Sequence, residues 1–122
     1  MRLLVTLGAV FGGLGVAAGA FGAHALRTQL EPRMLEVFET AVRYQMYHAL
    51  AVIAAAWLWQ QTASVAAQFA GWAFLVGILL FSGSLYAMVF TGARAFGAVT
   101  PLGGAAFILG WVALAVAATR LN

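Results

Sequence analysis

The chain has 122 residues, 65% of them hydrophobic and 7% charged, with no cysteine, and its mean hydropathy is +1.00. Soluble domains carry about 25% charged residues, so a water-facing globular fold is excluded, as is any disulfide or thiolate chemistry. The net charge of +3 comes from six arginines against three glutamates; they are scattered and form no basic stripe, which argues against a nucleic-acid partner.

The first apolar run covers residues 3–26. Met1 and Arg2, the run itself and the triplet Ala23, His24, Ala25 imitate the parts of a signal peptide. A run of about 20 residues is long for a signal core and right for a membrane span, so it is read as a span. Gly8, Gly12, Gly15, Gly19 and Gly22 recur at spacings of four and three and fall on one stripe of this helix. In lipid, helices gain little by hiding apolar side chains, and small residues that let backbones approach are what hold them together.

After a polar break, Pro32 is placed to open the second helix, where its missing N–H costs nothing. Residues 33–60 form that helix, and its start is amphipathic. Glu36, Glu39, Thr40 and Arg43 share one face, while Met34, Leu35, Val37, Phe38, Ala41 and Val42 share the other. Residues 33–43 are therefore expected at the membrane interface, with Glu39 and Arg43 in the favourable i,i+4 order. The turn 60–64 follows, with Trp57 and Trp59 as interfacial anchors and Ser64 as the cap of the third helix.

The third helix, 65–91, repeats the small-residue seam with Ala66, Ala70, Ala73, Gly77, Ser84, Ala87 and Thr91, interrupted by Leu80. Gly92 ends it, and Thr100 with Pro101 supplies a cap and a first helical position for the fourth helix, 101–119. That helix carries Gly103, Ala106, Gly110, Ala113 and Ala117 along one line. At about 1.5 Å rise per residue all four helices reach the roughly 30 Å of a hydrocarbon core. The expected architecture is all-α: a single-domain integral membrane four-helix bundle with short loops. Arg27, Arg33, Arg43 and Arg94 on one side against Arg2 and Arg120 on the other place both termini outside an inner membrane.

Four segments, GAFGAHAL at 19–26, FETAVRYQMYHAL at 38–50, LFSGSLY at 80–86, and TPLGG at 100–104 followed by GW at 110–111, resemble domain-of-unknown-function family 423. That family includes small bacterial inner-membrane proteins and the animal transmembrane protein 256. The resemblance covers nearly the full chain and implies a compact multi-helix membrane protein. It implies no substrate, cofactor or catalytic residue.

Chemistry must therefore come from the polar groups that a bilayer makes expensive. His24, Glu36, Glu39, Thr40, Arg43, Tyr44, Tyr47 and His48 form the candidate polar cluster. Neutral imidazole is a common metal or haem ligand, and Tyr44 lies one turn before His48; in a straight hairpin the two histidines sit at different depths and cannot share an ion, whereas with 33–43 along the interface and the span starting near Tyr44 they approach one level. Ser82, Ser84 and Tyr86 are expected to hydrogen-bond within the bundle, and the indole N–H of Trp111, too deep for an aromatic belt, needs an internal acceptor. The stripe Glu36, Thr40, Arg43, Tyr47 continues into the membrane and is a candidate lining for the bundle interior. No metal or other cofactor is assigned.

Three functional classes follow. The leading one is a non-enzymatic structural or accessory protein acting through helix packing with copies of itself or a partner membrane protein. The others are an oligomeric channel or small-solute transporter, and a metal- or haem-binding membrane protein using His24 and His48.

Overall fold

The computed structural model covers residues 1–122, with side chains described at every position except Ala23. Helix α1 (Arg2–Phe21) ends in a π turn at Gly22–Leu26, and α2 (Pro32–Thr62) is the longest element. Helix α3 (Val65–Gly77) continues through a second π turn, Ile78–Ser82, into α4 (Gly83–Thr91). A 3-10 turn at Arg94–Ala98 then leads to α5 (Thr100–Ala118).

Local chemistry explains the ends. Pro32 opens α2, as its fixed φ and absent N–H allow. The same helix runs two residues past its expected end at residue 60, into the expected turn, and stops at Ala63, whose φ of 51° is left-handed and whose N–H returns to the Trp59 carbonyl. Ser64 then caps α3 by accepting from the Ala66 N–H at 3.2 Å, as its residue type implies. Gly92, at φ 73°, ends α4 through a bond from its N–H to the Met88 carbonyl, a conformation that glycine adopts without a Cβ penalty. Thr100 does not cap α5. Val99 occupies the cap position, and the Thr100 hydroxyl lies 2.6 Å from Ser84 Oγ, because a neighbouring helix offers a better partner than its own N-terminus.

Helices α1 and α2 pack antiparallel along the glycine stripe. A Cβ added at Gly8 would meet Ile53, at Gly12 Ala49, at Gly15 Met46, at Gly19 Val42 and at Gly22 Phe38. Each step forward on α1 is a step back on α2. The α3–α4 helix and α5 interlock more tightly. Phe74 seats on Gly110, Phe107 on Gly77, and Phe81 with its backbone on Gly103. Where one helix offers a ring, the other offers a gap, and dispersion contacts collect without any polar group being desolvated. The Ser84 to Thr100 hydrogen bond extends the same register toward the turn. Between these pairs lies the core of Leu4, Val52, Ala55, Ala70, Phe74 and Ile78, with Leu4 reaching across to Gly71. The small-residue seams are thus occupied within the chain, against α2 for α1 and reciprocally for α3 and α5.

Three helices are long and apolar enough to cross a membrane: Arg2–Leu26, Val65–Thr91 and Arg94–Ala118. Sequence reading counted four. Helix α2 falls short on composition, since Arg33, Glu36, Glu39 and Arg43 crowd its first third and Gln45 and His48 follow. Segment 33–43 is the start of that one continuous helix, held by Phe38 against Gly22 on one side and by Ser82 Oγ donating to the Ala41 carbonyl at 2.7 Å on the other.

The stripe of α1 makes a direct prediction. The Gly15→Ala variant is expected to cost little, because only the flexible thioether of Met46 must move. Gly15→Leu is expected to force the two helices apart and cost about 2 kcal/mol or more. Thermal unfolding in detergent measures this, and an unchanged melting temperature for Gly15→Leu would show that α1 is not held on α2.

Candidate functional site

Apart from His24, the polar cluster expected from sequence is divided by the fold into three places around α2. The first is an aromatic groove of about 750 Å³ between α2 and α5, lined by Tyr44, Tyr47, His48, Phe81, Phe107 and Trp111 and floored in part by Gly104. His48 organises it. The Trp111 indole N–H donates to His48 Nε2 at 3.1 Å, so that nitrogen must be the unprotonated acceptor. His48 Nδ1 lies 2.7 Å from the Tyr44 carbonyl and must then be the N–H donor. The two bonds together fix one neutral tautomer. The ring lies face to face with Phe107, centroids 3.5 Å apart and planes 9° apart, and the Tyr44 ring lies beside the pair, 6.0 Å from His48 and 6.2 Å from Phe107. Trp111 therefore finds the internal acceptor that its depth requires.

The second place is a cleft of about 280 Å³ between the end of α1 and the start of α2, lined by Gly19, Gly22, Arg27, Glu39, Val42 and Arg43. Arg43 also donates from Nη2 to Thr40 Oγ1 at 3.3 Å, while Thr40 donates to the Glu36 carbonyl at 2.9 Å. The third is a cleft on the α4 side, where Glu36 and Thr40 stand with Arg33 and Leu85. The stripe Glu36, Thr40, Arg43, Tyr47 does not line an interior. Glu36, Arg43 and Tyr47 are exposed and Thr40 is half-buried, because α1 takes the Phe38, Val42 and Met46 face of α2 and the α3–α4 helix takes the Ala41 and His48 face.

His24 and His48 are not brought together. His24 is exposed in the π turn beyond Gly22, which packs at Phe38, and His48 is ten residues further along α2, about 15 Å of helix rise. Among the described residues no group of three histidine, cysteine or acidic side chains is placed to hold a metal ion. Both ring nitrogens of His48 are engaged already.

Sequence reasoning missed the most connected polar residue. Gln45 is buried, its Nε2 donates to the Phe11 carbonyl at 2.8 Å, and its Oε1 accepts from the Tyr86 hydroxyl at 2.7 Å. One amide thus ties α1, α2 and α4. The signal was a lone glutamine amid the apolar part of α2, on the side away from the charged stripe. Ser82 and Tyr86 meet partners within the fold as their types implied.

Spans of this length and hydropathy, joined by small-residue seams and sealed by neutral hydrogen bonds, define a helical membrane protein. Comparison with known proteins gives the family. The chain belongs to the family described as protein of unknown function (DUF423), whose model matches residues 18–104, as the sequence segments implied. It is 43% identical over 121 residues to the UPF0382 membrane protein YwdK of Bacillus subtilis (strain 168), covering 98% of each chain. A UPF0382 membrane protein of Staphylococcus epidermidis (strain ATCC 12228 / FDA PCI 1200) is 41% identical over 120 residues, again 98% of each chain. Another, from Staphylococcus aureus (strain bovine RF122 / ET3-1), is 43% identical over 117 residues, 96% of this chain and 95% of the relative. No solved structure matches.

Proposed function

We propose that this protein is a non-enzymatic structural protein of the cell's inner membrane, a four-crossing bundle that acts by packing against a second copy of itself at the α2–α5 groove. The groove carries this reading. The seams of α1, α3 and α5 are filled from within the chain, whereas the aromatic channel at Gly104, where an added Cβ would meet nothing within 4 Å, is free to take another helix. Small floors flanked by large rings are what close helix approach in lipid requires. Exposed Leu50, Ile108 and Trp111 form its rims, and the same patch on both copies suits a two-fold contact.

Helix α2 is the fourth crossing in this reading. It needs less hydropathy than its neighbours because α1 and the α3–α4 helix cover much of its surface, and its buried Gln45 and His48 are bonded by the Phe11 carbonyl of α1, Tyr86 of α4 and Trp111 of α5. Arg27, Arg33, Arg43 and Arg94 then gather toward one end, which the positive-inside rule assigns to the cytoplasm, with both termini outside.

The oligomeric state in lipid nanodiscs, read by native mass spectrometry, tests the proposal. The native chain is expected as a dimer, and Gly104→Trp, which fills the groove, as a monomer with unchanged helix content. A native chain that is monomeric in lipid at every protein density overturns it.

A further inference from the structure

The register of the bundle sets a depth for every residue, and it places two charges where a bilayer does not readily hold them. The midpoint of the Val65–Thr91 span is Ile78. Phe107 of α5 sits on Gly77, just beside that level, and Gly15 near the middle of the Arg2–Leu26 span faces Met46. Ser82 bonds the Ala41 carbonyl, and the Tyr44 and Phe81 rings are 4.5 Å apart. Arg43 is therefore level with Phe81, only about 4–5 Å from the midplane, and Glu39 is about 10 Å from it. Both backbones lie inside the hydrocarbon half-thickness of roughly 15 Å.

Arg43 is exposed rather than buried among protein groups. Side chains on a helix lean toward its N-terminus, so Arg43 snorkels toward the Pro32 end of α2. That direction leads into the cleft already described. Gly19 and Gly22 line it where α1 packs on Val42 and Phe38, Arg27 comes down from the turn after α1, and Glu39 stands beside them. Two arginines against one glutamate leave a single positive charge facing the polar edge of the membrane. The cleft is thus matched to a singly charged oxyanion, and the guanidinium fork fits a phosphate better than an ammonium would.

We propose that the cleft between the end of α1 and the start of α2 binds the phosphodiester headgroup of an anionic phospholipid through Arg27 and Arg43. The bound phosphate supplies the counter-charge that Arg43 lacks at its depth, and basic pockets between membrane helices are a recurring form of lipid recognition.

The test is thermal unfolding of the whole protein in neutral detergent, titrated separately with phosphatidylglycerol, phosphatidylcholine and inorganic phosphate. Phosphatidylglycerol is expected to raise the melting temperature by several degrees and to saturate, and the other two are expected to do little. The double variant Arg27→Gln, Arg43→Gln is expected to weaken the apparent affinity for phosphatidylglycerol at least tenfold. The variant Arg2→Gln, Arg120→Gln removes the same charge from the other end and is expected to keep the response. Should the first double variant fail to fold, Arg27→Gln alone, in the exposed turn, carries the same expectation in weaker form. An equal phosphatidylglycerol response in the Arg27 variants and in the native chain overturns the site. So does an equal response to phosphatidylcholine, and an equal shift with inorganic phosphate would mean a free-anion site and not a lipid one.

Discussion

Gly103→Ala is expected to destabilise the protein more than any other single methyl group added to its glycine seams. The new Cβ would fall on the Phe81 backbone, within 2.7 Å of its Cα, and a backbone cannot swing aside as the end of a side chain can. Overpacking of this kind costs about 1–3 kcal/mol, and the upper part of that range applies where two helix backbones must separate. Alanine recovers about 1 kcal/mol through its better helix propensity, leaving a net loss of about 2 kcal/mol. Gly104→Ala is the built-in control: it has the same chemistry one residue along, with nothing within 4 Å of the new atom. It is expected to leave stability unchanged or raise it slightly. Thermal or denaturant unfolding in one detergent compares the pair, and equal melting temperatures would mean that α5 does not approach Phe81 as described.

Gln45→Leu is the second large effect expected. The substitution keeps the volume of a buried side chain but strips the Tyr86 hydroxyl of its acceptor and the Phe11 carbonyl of a donor. Leaving buried polar groups unsatisfied costs about 1–3 kcal/mol, although hydrogen bonds between membrane helices average less than this when measured in cycles. The informative measurement is therefore the double-mutant cycle with Tyr86→Phe. Once Tyr86 has no hydroxyl to orphan, Gln45→Leu is expected to do less harm, and the double variant should be more stable than the sum of the two single losses allows. Additive losses would mean that Gln45 and Tyr86 act independently.

Much of this fold was legible in the sequence because each of its signals is local. The length and composition of residues 65–91 mark a span whose bounds are those of the α3–α4 helix. Ser64 and Gly92 carry their end signals in their own side chain and backbone freedom. The glycine stripe of α1 named the buried face of that helix correctly. Periodicity, however, gives a face and not the neighbour that covers it. That Phe107 would seat on Gly77 depends on how far α5 slides along α3, which no single segment encodes.

The candidate site was harder for the same reason. The charged stripe of α2 was visible, but whether it faced inward depended on which faces the adjoining helices would claim. Gln45 went unremarked, and His48 had no partner on another helix apart from His24, until inter-helix register supplied the Phe11 carbonyl, Tyr86 and Trp111. The turn before α3 was drawn too long because Ala63 takes a left-handed conformation that its residue type does not announce.

The π turn at Ile78–Ser82 has a consequence for mutation by deletion. Its defining bond runs from the Gly83 N–H to the Ile78 carbonyl, one residue wider than an α-helical bond. The loop of chain between them therefore holds one residue more than a regular helix needs. Loss of a single residue there, such as Leu80, could restore regular α-helical spacing without breaking the rod. Everything beyond the deletion would then rotate by about 100° relative to α3. Ser82, Ser84 and Tyr86 would swing away from Ala41, Thr100 and Gln45 together, while Phe74 and Gly77 kept their places on α5. The π turn acts as a phase setter between two halves of one helix, each half keyed to its own neighbours. A chain shortened by one residue at that point would have a more regular helix and a less coherent protein.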